Sequence, residues 1–222
     1  MHKKFHYSLA SLCLILFAVL AVIVRLKFQN SPMNIVINDT AIQKAVISLR
    51  TATLTPIMKD ITWIFGPGGG LFLAGIIAIL ILIFKKKNRW QATIYFGIMI
   101  VIAAGLNPVI KKIVNRTRPA LVQLVTETDK SFPSGHSVFA TMLMGALFLI
   151  LVAHMKNLPA KILLGILASI IILSVMFSRI YLAVHYPSDT IAGMLLGLAI
   201  LHFTYPTYYK LVHGKQGSHQ RG

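Results

Sequence analysis

Six stretches of this chain are long, apolar and free of Asp, Glu, Lys and Arg: Phe5–Val24, Ile61–Phe84, Trp90–Ile110, Ser131–Met155, Ile162–Ser178 and Thr190–Tyr209. A helix needs roughly 20 mostly apolar residues to cross a hydrocarbon core of ~30 Å. The fifth run is short, but it continues usefully through Ile180 to Val184. The expected fold is therefore all-α, an integral membrane bundle of six transmembrane helices. One membrane-embedded domain over residues 1–222 is the expected organisation. Only 12% of the residues are charged, whereas about a quarter would be in a soluble domain. Lys3-Lys4 precede the first run, which is long and has no small-residue cleavage site before Arg25 and Lys27. It reads as a retained anchor and not as a cleaved signal.

The net charge of +17 comes from 22 basic and 5 acidic residues. In a soluble protein that excess suggests nucleic acid. A chain with so little aqueous surface has better partners in anionic lipid headgroups or a phosphorylated substrate. The one cysteine, Cys13, lies inside the first run, which excludes an intrachain disulfide.

Residues 28–60 are less hydrophobic. Ile35, Val36, Ala41, Ile42, Ala45, Val46 and Leu49 recur at near-helical spacing among Asn38, Asp39, Gln43, Lys44 and Arg50. This pattern suits an amphipathic surface helix in the first outer loop, either lying on the membrane or packed over the bundle mouth. Gly66-Pro67-Gly68-Gly69-Gly70 lacks the Gly-Lys-Ser/Thr of a P-loop. It reads as a flexible start to the second span, with Leu71–Phe84 as the continuous part. Pro108 is expected to kink the third span just before Lys111.

The polar chemistry gathers in three short segments at the ends of these runs. They are Lys111 with Arg118-Pro119, then Pro133-Ser134-Gly135-His136, then Ser178-Arg179 with His185 and Asp189. Alternating spans put all three on one membrane face. Lys and Arg divide evenly between the two sides, but the short Lys85-Lys86-Lys87-Asn88-Arg89 loop and Lys3-Lys4 favour a cytoplasmic N-terminus. The motif face is then extracytoplasmic.

A phosphate monoester must have its charge neutralised before a nucleophile approaches. Lys111, Arg118 and Arg179 supply three cations, and arginine adds bidentate geometry. Ser134 suits a helix N-cap, with outward amides for an anion and Gly135 permitting close approach. Pro187 separates His185 from Asp189, so His185 falls in a loop and Asp189 in the first turn of the last helix. Asp189 can then hold the Nδ1 proton of His185 and leave Nε2 to attack phosphorus. His136 would protonate the leaving alkoxide and later activate water. A helix N-terminus lowers its proton affinity, and a bound phosphate raises it by more. Arg116 reads as a solvated loop charge in preference to a contact that supports the site residues or a lipid headgroup.

These segments follow K-x6-RP, PSGH and SR-x5-H-x3-D, and in this they resemble the signature of the type 2 phosphatidic acid phosphatases. The match runs over 111–119, 133–136 and 178–189 with no departure at any motif position. The resemblance selects Lys111 over Lys112 and implies the same roles for His185, His136 and Asp189. It implies a lipid phosphate phosphatase acting through a phosphohistidine on a substrate from the bilayer. The short chain resembles small bacterial members, which implies phosphatidylglycerophosphate as substrate, with undecaprenyl pyrophosphate as the alternative. It extends to vanadium-dependent haloperoxidases, so vanadate, like phosphate, is expected to inhibit.

Two histidines and a carboxylate could instead bind a metal. Adjacent cations would repel a divalent ion, and no carboxylate pair awaits Mg²⁺, so no metal or other cofactor is expected. An anion or lipid transporter is the alternative of another class. It would want ionisable residues at mid-membrane and paired broken helices, whereas the charges here sit at helix ends.

Overall fold

The computed structural model describes residues 3–30 and 39–213. Among these described residues eight helices follow one another: α1 (Lys3–Asn30), α2 (Asp39–Ile47), α3 (Leu54–Ile64), α4 (Pro67–Phe84), α5 (Arg89–Val114), α6 (Gly135–Val152), α7 (Leu158–Tyr181) and α8 (Pro187–His213). Six of them, α1 and α4 to α8, are long and apolar enough to cross a membrane. No strand occurs among the described residues. In lipid a helix satisfies its own backbone, so each apolar run supplies one spanning helix. The helices overrun the apolar stretches at several ends because hydrogen bonding continues into polar sequence. Thus α7 starts at Leu158, capped by Asn157, and α8 starts at Pro187.

The centre of the bundle is α6, packed by α5, α7 and α8, while α1 lies along α8. Small residues let these helices approach. A Cβ on Gly193 would fall 2.8 Å from the Ser134 carbonyl oxygen, and one on Gly197 would fall 2.8 Å from Thr141. This contact brings the first turns of α6 and α8 together, with the Ser134 amide bonded to the Asp189 carbonyl at 3.0 Å. The chemistry of Pro133–His136 is thereby placed beside that of His185–Asp189.

One expectation needs correction. The second apolar run does break at its glycines, at Phe65-Gly66 between α3 and α4, but the entry to α4 is not loose, because the three following glycines are helical. Pro67 opens α4, a position where its missing N–H costs nothing. A Cβ on Gly69 would lie 2.4 Å from the Trp63 carbonyl, and one on Gly70 would lie 2.7 Å from Phe139. These two glycines serve close packing at the corner.

The helix expected in the first outer loop takes the second of its two expected placements, packed on the bundle. Ile35, Val36 and Asn38 lie outside the described residues, and α2 spans only Asp39–Ile47. It packs against α7 and α8. Its buried residue is Gln43, while Ile42 is exposed. The face turned to the bundle carries Asp39 and Gln43, which bond to polar groups there, and Val46, which packs against Met58, Tyr181, Leu182 and Val184.

Candidate active site

Each motif spacing has a local cause. After the last turn of α7 the chain turns back through Ala183, at φ 60°. That left-handed residue, where Gly is usual, ends the helix at a cost of about 1 kcal/mol. The turn returns the amides of Val184 and His185 to the Arg179 carbonyl, at 3.2 and 3.3 Å. Arg179 and His185 become neighbours although six residues separate them. At the first motif, α5 ends at Val114 with Asn115 in the left-handed conformation at φ 55°. Arg116 and Arg118 then lie in the loop, under the last turn that carries Lys111. At the second, the Ser134 hydroxyl accepts from the Ser137 amide and caps α6, which leaves its proton available as a donor.

His185 is fully buried between Asp189 and Arg118. Its Nδ1 is 3.5 Å from Asp189 Oδ2 and 3.4 Å from the Ser131 hydroxyl. Ser131 donates to the same carboxylate oxygen, and the Tyr186 amide donates to it at 2.9 Å. Arg118 Nη1 stands 3.2 Å from His185 Nε2. Arginine is donor only, so Nε2 carries the lone pair and Nδ1 the proton. Burial pushes the imidazole down to about 4; Arg179 and Arg118 add to this and Asp189 opposes it. The ring is therefore neutral at neutral pH, as a nucleophile must be.

The three predicted cations converge around this ring. Lys111 is buried in the last turn of α5, whereas its neighbour Lys112 is exposed. Arg118 donates to the Val184 carbonyl at 2.7 Å. Arg179 is fully buried, and its Nε and Nη1 have no partner among the described residues. Unsatisfied guanidinium donors are costly to bury, and an oxyanion is the ligand that suits their fork. His136, in the first turn of α6, has Nε2 facing Gly66, where a Cβ would approach to 3.3 Å. Gly135 is crossed closely by the Asn107 amide, at 2.7 Å from where a Cβ would sit.

Four further residues enter the site that motif reading did not supply. Glu127 and Asp129 reach in from the loop before α6. Asp129 bonds Lys111 at 2.5 Å and also Arg118, while Glu127 bonds Arg118 at 3.3 Å and also Arg179. Partial burial works against its charge, yet hydrogen bonds from Lys111 and Arg118 hold the Asp129 carboxyl below its usual range. Two carboxylates thus occupy the cations that an incoming phosphate would need. The double change Glu127→Gln, Asp129→Asn should strengthen inhibition by inorganic phosphate on the order of tenfold, because partly exposed ion pairs of this kind contribute ~1 kcal/mol or less each. An unchanged or weaker inhibition constant would refute the competition. Ser131 holds the Asp189 carboxylate, as described. Arg116, read from sequence as a solvated charge, is buried and donates to Asp189 Oδ1 at 2.7 Å. The only sequence signal for these residues was the scarcity of acids. Of the chain's five, Asp39, Glu127, Asp129 and Asp189 all form ion pairs here.

A cleft of about 260 Å³ leads to this cluster. Lys111, Arg118, His136 and His185 line it together with Glu127 and Asp129, and its apolar lining includes Leu71, Ala103, Ala104, Pro108 and Phe139. The cations suit a phosphate, and the apolar residues come from α4, α5 and α6.

Comparison with known proteins accords with this geometry. The PAP2 superfamily profile matches residues 91–213. Phosphatidylglycerophosphatase B of Bacillus subtilis (strain 168) is 34% identical over 168 residues, covering 73% of this chain and 79% of that protein. An undecaprenyl-diphosphatase of Sulfolobus acidocaldarius is 30% identical over 211 residues, covering 88% of this chain and 87% of the relative. The crystal structure of a transmembrane PAP2-type phosphatidylglycerolphosphate phosphatase from Bacillus subtilis aligns with a TM-score of 0.76 and 29% identity, over 91% of this chain and 96% of its own. The matched region contains all three polar motifs and nearly all of α5 to α8, and this chain belongs to the PAP2 superfamily.

Proposed function

We propose that the chain is a lipid phosphate phosphatase that hydrolyses phosphatidylglycerophosphate to phosphatidylglycerol, and that residues 1–222 act as one membrane-embedded domain. The observation that carries the reading is the convergence of Lys111, Arg118 and Arg179 on a neutral, buried His185 whose Nδ1 faces Asp189. The substrate comes sideways from the bilayer, with its acyl chains along the apolar lining of the cleft. Its phosphate takes the place of Glu127 and Asp129 on the three cations, and Ser134 and the Gly135 backbone add donors.

Once Arg118 turns to a phosphate oxygen, Nε2 of His185 is released and forms a bond to phosphorus. The bond from phosphorus to the ester oxygen breaks, and His136 gives its proton to the departing alkoxide. Asp189 stabilises the cationic phosphohistidine through the Nδ1 proton. His136, now neutral, takes a proton from water as the water oxygen attacks phosphorus. The bond to Nε2 breaks, inorganic phosphate leaves, and His185 returns to its neutral state. No metal or cofactor takes part in this sequence, and vanadate inhibits as a phosphate mimic. The active site faces the extracytoplasmic side, in keeping with the Lys-rich 85–89 loop on the other.

The choice of substrate rests on the Bacillus relatives, whose names give phosphatidylglycerophosphate. Undecaprenyl pyrophosphate is the second reading, supported by the Sulfolobus relative. A competition assay with both lipids and phosphatidic acid, on detergent-purified protein with and without chelator, tests the choice. Preferential release of phosphate from phosphatidylglycerophosphate, unaffected by chelator, is expected. Preference for the isoprenoid overturns the substrate, loss with chelator overturns metal independence, and no release at all favours a transporter.

A further inference from the structure

The nucleophile is held from behind as well as approached from the front. Arg116 follows α5 in the loop and turns away from the cleft, toward the first turn of α8. Its Nη1 donates to Asp189 Oδ1 and to the Ser188 hydroxyl, each at 2.7 Å. Its Nη2 donates to Asp39 Oδ2 at 2.8 Å. The guanidinium carbon lies 3.8 Å from the centre of the Tyr186 ring. Asp39, at the start of α2, also accepts from the Ser188 amide at 2.9 Å and from its hydroxyl. Four residues on, Gln43 of α2 donates to the His185 carbonyl at 3.1 Å. Side chains from α2 and the 115–118 loop therefore fix the backbone and carboxylate of residues 185–189, and Arg116 does not line the cleft.

We infer that Arg116 is a positioning residue for the reaction, and that α2 is a clamp which holds the catalytic pair through Asp39 and Gln43. The inference rests on the phosphatase reading above. Asp189 has two oxygens with separate tasks: Oδ2 faces His185, Ser131 and the Tyr186 amide, and Oδ1 faces Arg116. Without Arg116, Oδ1 would be a buried anion with no partner from the first motif loop, and the carboxylate would be free to rotate. Rotation would take Oδ2 away from Nδ1 and unlock the ring tautomer. The bond between His185 and the carboxylate is already long, so it depends on the supports around it. Because Arg116 touches no part of the phosphate path, its loss acts on the chemical step and not on substrate binding. Residues that orient metal-ligating histidines from behind are worth about 10–100-fold, and the same scale is expected for this ring.

The test uses full-length protein in detergent with Arg116→Gln, Arg116→Lys and Asp39→Asn. Arg116→Gln should lower kcat about 100-fold with KM within threefold of wild type. Arg116→Lys should recover part of the loss, since it restores charge to Asp189 but cannot bridge to Asp39. Asp39→Asn should lower kcat about tenfold with unchanged Tm, and it reports on the clamp even if Arg116→Gln does not fold. The imidazole ¹⁵N spectrum gives a readout without turnover: a single Nδ1–H tautomer of His185 in wild type, and a mixture in the variants. That spectrum separates a failure of this inference from a failure of the phosphatase reading. Unchanged kcat in both Arg116→Gln and Asp39→Asn, a loss confined to KM, or an unaltered tautomer would overturn it.

Discussion

Replacing His185 with alanine is expected to lower kcat by about 10⁴-fold or more, on the scale seen when a nucleophile is removed from a working catalytic unit. No other imidazole can take over. His136 is fixed to the first turn of α6, and among the described residues it has no carboxylate partner like the one Asp189 gives His185. Water activated by His136 would have to attack an ester with a poor leaving group in one step. The KM for the lipid should change far less, because Lys111, Arg118 and Arg179 remain. The measurement is steady-state phosphate release by purified protein. A variant that keeps a tenth of wild-type kcat would require another nucleophile.

The second large effect concerns adjacent lysines. Lys111→Ala should lower kcat/KM about 10²–10³-fold, the cost of removing one preorganised group that meets developing charge in a site shielded from water. Lys112→Ala should stay within about twofold, as surface changes usually do. Consecutive residues on a helix point about 100° apart, and only Lys111 turns inward. Its side chain is 8% exposed and bonds Asp129 in the cleft. Lys112 is exposed in the same last turn of α5, the kind of helix end where a basic residue commonly anchors a span. The Lys111→Ala variant loses a partner for Asp129 as well, so added phosphate should inhibit it less. Equal losses from the two variants would detach Lys111 from the phosphate.

Much of the architecture was legible because lipid leaves a chain few choices. A run such as Trp90–Ile110 must hydrogen-bond to itself, so its helix could be read without knowing its neighbours. The separation of Arg179, His185 and Asp189 into helix end, loop and helix start was legible too, since Pro187 permits little else. What was not legible depended on tertiary contacts. Glycine lowers helix propensity, so Gly68-Gly69-Gly70 read as flexible. Their helical state follows from the contacts of Gly69 with Trp63 and of Gly70 with Phe139, which are invisible in one sequence. In α2 the apolar pattern suggested a face for lipid or protein, but the bundle offered a polar surface, and Gln43 and Asp39 turned toward it. Arg116 differs from an ordinary loop arginine only through Asp189 and Asp39, which lie 73 and 77 residues away. The roles of Glu127 and Asp129 were hidden for the same reason. A basic chain with five acids, four of them paired in one place, holds a clue that motif spacing does not express.

The most direct test follows the phosphoryl group itself. Purified protein mixed with lipid carrying ³²P in the terminal phosphate, and quenched in alkali within milliseconds, should retain label that is stable to base and lost in acid. Peptide mapping should place that label on Nε2 of His185, and it should appear and decay at rates compatible with turnover. Active protein that never becomes labelled, or that carries the label on any other residue, would contradict the account.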